Sequence, residues 1–364
     1  MSRLLMQDRG TRVVMRALVT GSTGFIGSRV AAALAGAGHE VLGLARSRPE
    51  SIPQVDRQLQ IDLRDHRAVR AVLSGCDAVF HVAGLYSYRR SDAAAMEAVN
   101  TGGTGALLTA CRDAGVRRVV LTSSAATCGP VPGRLADERD SPPAWELVVP
   151  YKRTKWEAEQ LALQAAQAGL EVVVVNPATV VGPGDRRPTP TGKMVRDVVQ
   201  RRMWGYLRAM GLNVVDVEDV ALGHLLAYER GRAGERYILG GENLTLRELF
   251  EMISASAGVP APRIGVPYPV AMACASVLDG LGGLVGTEAE LLNPDEVRLA
   301  RLPQFFSSAK AEGELGYSHR PVAEALARAA ASFDTVTPPG ALAGLWQRPL
   351  AWMTAAAHRR ARPA

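Results

Sequence analysis

Apolar residues in the first half of the chain fall into short, nearly unbroken runs, and each run is followed by an alanine-rich segment. The runs have the length of β-strands, and the segments between them have the composition of helices. Strands that are apolar throughout are typical of a parallel sheet covered on both faces. The predicted strands are residues 13–19, 41–45, 78–82, 119–122 and 172–176, and the predicted helices are 26–37, 68–73, 95–114 and 152–168.

This alternation predicts an α/β fold. Crossovers between parallel strands are right-handed, so the economical arrangement is a Rossmann-type, doubly wound parallel sheet. We expect this domain to span residues 15–183, preceded by a frayed or disordered extension over residues 1–14.

The pattern changes after residue 183, where a proline-rich basic loop covers residues 186–192. Helices at 193–202 and 220–230, a short strand at 236–239 and a helix ending at 257 are predicted beyond it. Thr245 and Glu248 have the spacing of a capping box that begins this last helix. We interpret residues 184–335 as a smaller C-terminal substrate lobe over the carboxyl ends of the strands, with some segments returning to the main sheet.

The most apolar stretch, residues 270–285, is interrupted by Asp279 and three glycines. It is shorter than the roughly 18 apolar residues of a membrane span, and no other stretch reaches that length. We interpret it as a helix packed in the interior, with an apolar lid over a lipid-like substrate as the alternative.

The last residues, 336–364, form a basic amphipathic tail that includes Trp346 and Trp352 and has no acidic residue. Such a segment can lie on an anionic membrane surface, which predicts weak membrane contact. A helix packed on the body of the protein, or a disordered segment, would explain the same pattern.

Composition excludes several classes of function. A net charge of +6 without a long Lys/Arg run argues against a nucleic-acid partner. The four cysteines lack Cys-x-x-Cys and metal-ligand spacing, which argues against a disulfide framework and against a metal site. We expect a cytoplasmic protein, with the tail bringing it to the inner face of the membrane. The cysteines are Cys76, Cys111, Cys128 and Cys274.

A glycine-rich run, Thr-Gly-Ser-Thr-Gly-Phe-Ile-Gly at residues 20–27, joins the first predicted strand to the first predicted helix. Glycines allow a tight turn and let backbone N–H groups approach a pyrophosphate, while the helix N-terminus favours negative charge. A turn that merely needs positive φ is the alternative. The order strand, loop, helix predicts a dinucleotide site formed by Gly21, Thr23, Gly24, Phe25, Ile26 and Gly27.

The end of the second strand bears on the choice of nicotinamide cofactor. An acidic residue there selects the ribose hydroxyls of NAD, but this sequence has Arg46 instead. An arginine can pair with a 2′-phosphate, so NADP is favoured over NAD. Arg46 as a plain surface charge is the alternative.

Tyr151 and Lys155 are four residues apart at the start of a predicted helix, so they share a face. An ammonium group beside a tyrosine stabilises the phenolate, which predicts a proton-transferring pair. Lys155 can also hydrogen-bond the nicotinamide ribose. A hydroxyl that orients the substrate oxygen should leave the end of the fifth strand, where Thr122, Ser123 and Ser124 lie.

The Gly-x-x-Gly-x-x-Gly spacing, together with Tyr151 and Lys155, resembles the extended short-chain dehydrogenase/reductase superfamily of NAD-dependent epimerases and dehydratases. Runs at 176–183, 188–192, 237–246 and 305–310 resemble most closely the group labelled hopanoid-associated sugar epimerase, which is similar to dihydroflavonol 4-reductases. The resemblance extends from Met15 to about Phe333.

The resemblance implies roles for further residues. Ser124, five residues before a glycine, is implied as the active hydroxyl. The implied cofactor contacts are Asp62 and Leu63 at the adenine, Val82, Ala83 and Gly84 in the turn after the fourth strand, Asn100 near the lysine, Thr122, and Asn176 and Pro177 at the nicotinamide. A homodimer joined through the helix that carries Tyr151 and the helix near 103–113 is also implied, although these faces would equally pack within one chain.

Three activities remain open from the sequence. A reductase would use free NADPH on the ketone of a sugar-like or lipid-linked molecule, or oxidise a secondary alcohol. An epimerase would retain NAD, and a regulatory protein would bind the dinucleotide without turnover. The candidate contacts for a small-molecule substrate are Tyr86, Tyr88, Lys193 and Asn213, each of which would equally fit a surface or core position.

Overall fold

The structure, a computed structural model, describes residues 14–46, 54–186, 188–284 and 294–333. Seven parallel strands form its central sheet in the order β10-β6-β5-β4-β1-β2-β3. These strands are β1 (Arg16–Thr20), β2 (Glu40–Ala45), β3 (Arg57–Gln60), β4 (Ala78–His81), β5 (Arg118–Thr122), β6 (Glu171–Pro177) and β10 (Arg236–Leu239).

The five apolar runs of the first half are all strands of this sheet, and the Rossmann-type fold class is confirmed. Strand β3 has no apolar run in its sequence, Arg-Gln-Leu-Gln. It lies at the sheet edge, where a strand has one neighbour and keeps polar, partly exposed side chains.

Helices cover both faces of the sheet. Because side chains alternate along a strand, Val19 packs on the face of α1 and α7, whereas Leu18 packs on the face of α2, α4 and α5. The helices of the described residues are α1 (Phe25–Gly36), α2 (His66–Val72), α3 (Ala93–Met96), α4 (Gly103–Asp113), α5 (Pro150–Gln167), α6 (Pro190–Val199), α7 (Val217–Arg230), α8 (Leu246–Ala257), α9 (Tyr268–Leu284), α10 (Pro294–Leu299) and α11 (Val322–Ala330).

The helix predicted over 95–114 is interrupted. A π-helical segment, Glu97–Gly102, separates α3 from α4. Wide turns of this kind are rare and often occur at functional sites, and hydrophobic periodicity does not predict them.

Beyond β6 the chain builds two smaller sheets and returns once to the main sheet. Strands β7 (Thr179–Val181), β9 (Gly211–Asp216) and β11 (Glu242–Thr245) form one sheet in the order β11-β9-β7, packed on α6, α8 and α11. Strands β8 (Gly205–Leu207) and β12 (Ile264–Val266) form the other. The predicted strand 236–239 is β10, which pairs with β6.

The local signals of this half are present in the structure. Thr245 Oγ1 accepts from the Glu248 N–H at 3.2 Å, and Glu248 Oε2 accepts from the Thr245 N–H at 2.8 Å, so the capping box begins α8. Helix α6 begins three residues earlier than predicted because Pro190 suits a first helical turn and Thr189 caps it.

Among the described residues, no helix is long and apolar enough to cross a membrane. The predicted tail, residues 336–364, lies outside the described residues, as does the predicted N-terminal extension apart from Val14.

Candidate active site

A cavity of about 1150 Å³ lies at the carboxyl ends of the central strands. Its wall includes residues from the ends of β2 and β5 and from the turns after β1 and β4. In a doubly wound sheet, ligands bind at this edge, because the loops that follow the strands leave a crevice there. The cavity continues between α6, β8, β9 and α10, so one space joins the main sheet to the smaller elements.

The glycine loop is shaped by close backbone approaches. Gly21 has φ +70°, and a Cβ atom there would lie 2.9 Å from the backbone of Ala83. Its N–H donates to the Leu44 carbonyl at 2.8 Å. A Cβ on Gly27 would overlap the Gly21 carbonyl oxygen, so only glycine lets α1 begin this close to the loop.

The loop has the donors that a pyrophosphate requires. No side chain caps the first turn of α1 among the described residues, so the helix N-terminus keeps unpaired N–H groups. An anion at this position is also favoured by the helix dipole. The predicted loop residues all line the cavity: Gly21, Thr23, Gly24, Phe25, Ile26 and Gly27.

The proposed adenine end of the cavity is lined by Arg46, Asp62 and Leu63. Arg64 donates to both oxygens of the Asp62 carboxylate, from Nε at 3.0 Å and Nη2 at 2.8 Å. These bonds lower the pKa of Asp62 to about 2, and the nearby Arg46 guanidinium acts in the same direction. The Asp62 carboxylate is therefore already paired with Arg64, and Arg46 is the arginine that lines this end of the cavity.

Ser124, Tyr151 and Lys155 are brought together at the centre of the cavity wall. Ser124 follows β5, near enough to Tyr151 for its hydroxyl to act to lower the pKa of the phenol. Lys155 Nζ donates to the Thr122 carbonyl at 2.7 Å. Pro150 at the start of α5 places the tyrosine and the lysine in the first two turns of one helix.

Burial dominates the titration of this cluster. It raises the pKa of Tyr151, and the Ser124 hydrogen bond only partly opposes that change. Burial lowers the pKa of Lys155 to about 8, against the attraction of Glu159. The sequence argument expected Lys155 to bring the tyrosine pKa down, but the net shift here is upward. A phenol that stays protonated suits a proton donor.

Glu159, one turn beyond Lys155, is an internal anchor that the sequence argument missed. It is fully buried and accepts from Thr127 Oγ1 at 2.7 Å, Asn176 Nδ2 at 2.6 Å and Arg236 Nη1 at 2.9 Å. These bonds tie α5 to β6 and β10. The spacing Lys-x-x-x-Glu was the available signal, because it places both side chains on one face of a helix.

Two predicted cofactor contacts lie behind the wall. Asn100 is buried, accepts from the Leu85 N–H at 2.7 Å and donates to Thr154 Oγ1 at 3.1 Å, so it holds the loop after β4 against α5. Asn176 donates to the Ser124 carbonyl at 3.2 Å as well as to Glu159. Neither side chain lines the cavity, whereas Pro177 does. Their observed contacts shape the wall.

The turn after β4 is held by a buried histidine. His81 Nδ1 lies 2.8 Å from Thr20 Oγ1, and its Nε2 lies 2.9 Å from Thr104 Oγ1. Burial, with Lys155 nearby, lowers the pKa of His81 to about 3, so the ring is neutral. The Ala83 N–H donates to the same Thr20 hydroxyl at 3.1 Å. The predicted residues Val82, Ala83, Gly84 and Thr122 all line the cavity.

Two tyrosines cover the predicted proton donor. The ring of Tyr86 lies 4.2 Å from that of Tyr151 between centroids, at an interplanar angle of 31°. Tyr88 meets Tyr151 edge-on at 6.1 Å, and the Tyr86 and Tyr88 hydroxyls are 2.9 Å apart. Tyr86 and Tyr88 both line the cavity, and the substrate contact predicted for them stays a prediction.

The other two predicted substrate contacts are not at the cavity wall. Lys193 is exposed and does not line the cavity, unlike its neighbour Met194. Asn213 is buried and donates to Asn243 Oδ1 at 3.0 Å and accepts from the Gly241 N–H at 2.8 Å. Its amide joins β9 to β11, and the substrate contact predicted for it stays a prediction.

The part of the cavity beyond Tyr151 is mainly apolar, and we call it the substrate chamber. Its polar groups include Gln304 and Glu296. Two cations of the cavity wall are engaged within the protein: Lys152 forms a buried ion pair with Glu146, and Arg29 pairs with Glu218. The apolar side chains of the substrate chamber are Met194, Leu207, Met210, Leu212, Leu246, Val297, Leu299 and Phe306.

Comparison with known families agrees with this geometry. The family described as NAD dependent epimerase/dehydratase matches residues 17–240. A protein of Synechocystis sp. that is assigned as a dihydroflavonol 4-reductase is 37% identical over 85% of this chain and 92% of its own length. Sterol demethylase protein B of Methylococcus capsulatus is 32% identical over 88% and 98%. The 2-alkyl-3-oxoalkanoate reductase of Stenotrophomonas maltophilia is 32% identical over 83% and 94%.

Solved structures with the same fold are also similar. The crystal structure of gox2253 is 39% identical, with a TM-score of 0.76 over 87% of this chain and 97% of that one. A nucleoside-diphosphate-sugar epimerase from Pseudomonas aeruginosa is 28% identical, with a TM-score of 0.71 over 88% and 97%. A dTDP-glucose 4,6-dehydratase from Streptomyces venezuelae with NAD bound is 26% identical, with a TM-score of 0.70 over 87% and 96%.

Proposed function

The chain belongs to the NAD-dependent epimerase/dehydratase family of enzymes, and from this premise we propose that it is an NAD(P)-dependent reductase of a mainly apolar ketone. The observation that carries the proposal is the substrate chamber, whose aliphatic wall begins at Tyr151. A chamber of this kind favours an apolar molecule, because binding removes apolar surface from water. A nucleotide sugar would instead need cations for its diphosphate. Besides the paired Arg29 and Lys152, Arg186 lines the described wall beside α6, so the preference rests on the apolar side chains.

The relatives support the same reading of the chamber. Two of them are named for a sterol and for a 2-alkyl-3-oxoalkanoate, both of which are largely hydrocarbon. The lipid-linked substrate predicted from the sequence is therefore favoured over the sugar-like one. Membership of an enzyme family also favours catalysis over the non-catalytic regulator considered from the sequence.

In the proposed reaction a bound nicotinamide supplies the hydride that reduces the carbonyl carbon. The hydroxyls of Ser124 and Tyr151 donate hydrogen bonds to the carbonyl oxygen and so stabilise the negative charge that develops there. Tyr151 then transfers its proton to this oxygen, giving the alcohol, and regains a proton from solvent. Charged Lys155 stabilises the transient phenolate.

Two experiments separate the reductase from the epimerase. The reductase should consume NADPH when mixed with one of a panel of long-chain, steroid or flavonoid-type ketones. An epimerase of nucleotide sugars should release NAD when the purified protein is denatured, because it keeps its cofactor. Retained NAD together with no NADPH consumption would overturn the proposal in favour of the epimerase. Retention of NAD is supported by the similar dTDP-glucose 4,6-dehydratase, which was solved with NAD bound.

We propose NADP as the preferred cofactor, supported by Arg46 and Arg64 beside Asp62. Arg46→Ala should raise the Kd of NADPH roughly tenfold, the value of a charge-assisted hydrogen bond to phosphate, and leave the Kd of NADH unchanged. Arg57→Ala, on the nearby edge strand but away from the cavity, is the matched control. Equal effects on both nucleotides would indicate no selection by Arg46.

The remaining expectations concern assembly and location. We propose a cytoplasmic homodimer joined through α4 and α5, which light scattering of the purified protein would test. The weak membrane contact proposed for the tail rests on its sequence alone. It would be tested by removing residues 336–364 and measuring vesicle binding.

A further inference from the structure

Helix α9 exposes an apolar outer face. Its exposed apolar positions follow the i, i+3, i+4, i+7, i+8 spacing of one helix face, from Val270, which is 51% exposed, to Val277, which is 61% exposed. The opposite face is buried through Ala271 and Ala275. A helix with one face exposed to solvent normally has polar residues on that face. The interior packing that the sequence predicted for α9 is therefore not found on its outer face. The outer face consists of Val270, Ala273, Cys274, Val277 and Leu278.

The apolar surface extends from α9 to the adjoining two-stranded sheet. Ile264, at the start of β12, pairs in register with Gly205 of β8 and is 56% exposed. Trp204, the residue before Gly205, is 69% exposed. A tryptophan, an isoleucine and the outer face of α9 are thus exposed on consecutive elements, because α9 begins two residues after β12 ends. We call this set the α9 surface.

Four arginines accompany the α9 surface. Arg201 and Arg202 precede Trp204 with one residue between, and Arg263 directly precedes Ile264. Arg208 follows β8 and donates to the Gly265 carbonyl at 3.2 Å. All four are exposed, and none forms an ion pair with another described residue. The segment from Ile264 to Leu278 has no charged residue at all. An apolar centre with a cationic rim is therefore present, without acidic residues in that segment to balance it.

We infer that the α9 surface docks on an anionic lipid bilayer. Tryptophan is enriched at the interface between a bilayer and water, where one part of the side chain meets an apolar environment and the other meets water. Aliphatic side chains on one helix face can enter the headgroup boundary, and arginines at the rim attract anionic lipids. A second copy of the chain fits less well, because a two-fold contact would place the arginine rim of one copy against the same rim of the other.

The position of the α9 surface relates it to the substrate chamber. The inner side of α9 packs on Val297 of α10 and on Leu207 of β8, and both of these residues also line the chamber. The elements that carry the exposed surface are thus the outer layer of the chamber wall. Docking would bring this wall to the bilayer, where an apolar substrate is concentrated. The inference stands on exposure and charge, and it does not depend on the proposed reductase activity.

Binding of the full-length protein to vesicles tests the inference. We expect sedimentation with phosphatidylcholine vesicles that contain phosphatidylglycerol, weaker binding to phosphatidylcholine alone, and loss of binding at high salt. Val277→Glu should weaken binding about tenfold, since a buried valine becomes a buried charge at the interface. Leu222→Glu is the matched control, because Leu222 is 53% exposed on α7, and it should bind like the unchanged protein.

A second variant tests the charge. Replacing Arg201 and Arg202 together by glutamine should weaken binding to anionic vesicles by about fivefold per arginine and leave binding to neutral vesicles unchanged. Both variants keep the tail, so unchanged binding by Val277→Glu would assign the contact to the tail and overturn the inference. Absence of vesicle binding, with a change of oligomeric state in Val277→Glu by light scattering, would identify a self-interface and also overturn it. Vesicle binding is measured without catalytic turnover. A ketone panel that shows no activity would count against the proposed reductase and would leave the vesicle-binding result unaffected.

Discussion

Two residues in the first turns of α5 have opposite pKa shifts with one cause. Tyr151 and Lys155 are both half-buried in the cavity wall. Partial removal from water favours the neutral form of each, so the pKa of the phenol rises and that of the ammonium falls. At neutral pH the tyrosine therefore holds its proton and the lysine still holds most of its charge. This combination is suited to reduction of a carbonyl, which needs a proton donor and a nearby cation.

The proton-donor role is tested by Tyr151→Phe. Removal of the hydroxyl should lower kcat/KM for ketone reduction by roughly 10²–10⁴-fold, the usual contribution of general acid catalysis. The Kd of NADPH, measured by fluorescence, should stay nearly unchanged, which also serves as the control for folding. Normal turnover in this variant would exclude Tyr151 as the acid.

The pH dependence of reduction follows from Lys155. Its pKa, lowered to about 8, means that the ammonium loses its proton as the pH rises through that value. We expect kcat/KM for ketone reduction to be flat below pH 8 and to decline above it, while Tyr151 stays protonated. Circular dichroism at each pH separates this decline from unfolding. A rate that rises through pH 8 would contradict the assignment.

At the scale of elements, α5 is held in place by a buried charge network. Glu159 pairs with Arg236, a residue 77 positions along the chain on β10. Capping boxes, glycine turns and amphipathic stripes act over a few residues, which is why α8 and the glycine loop were predicted correctly. The π-helical segment before α4 and the anchor of α5 depend on contacts across the fold, so they were not predicted.

The anchor of α5 should matter for stability. Glu159→Ala would leave the Arg236 guanidinium largely buried without its partner, which typically costs about 3–5 kcal/mol in the free energy of unfolding. Glu157→Ala is the matched control on the same helix, because its pair with Arg153 is partly exposed and should cost less than about 1 kcal/mol. Chemical denaturation of the three proteins would measure both values. Equal decreases in the free energy of unfolding would show that the buried ion pair contributes no more to stability than the exposed one.

At the scale of the whole molecule, the substrate chamber is built where the smaller elements meet the main sheet. Met210 and Met252 both pack on the core of the smaller elements, but Met210, between β8 and β9, also lines the chamber, whereas Met252 on α8 does not. Neither role could be predicted from the sequence, because both methionines occur among apolar residues of similar spacing. Only the arrangement of α6, β8, β9 and α10 distinguishes a wall residue from a core residue.

The chamber predicts a difference between these methionines in kinetics. Met210→Ala should raise KM for an apolar ketone roughly tenfold with kcat unchanged, because it removes contact made equally in the ground and transition states. Met252→Ala should leave KM unchanged while lowering the melting temperature. A fall in kcat for Met210→Ala without a change of KM would argue against a binding role.

The sequence by itself determined the central strands, the glycine loop, the capping box and the Tyr151 and Lys155 spacing, because periodicity and backbone dihedrals act within a few residues. The tertiary structure decided which polar side chains face the cavity. Asn100, Asn176 and Asn213 resembled site residues in sequence, yet each is buried and its amide is used to join elements. Buried amides favour hydrogen-bond partners, and the partners of these three are supplied by elements far apart in the chain. The apolar character of the chamber, and with it the proposed substrate class, follows from the same packing.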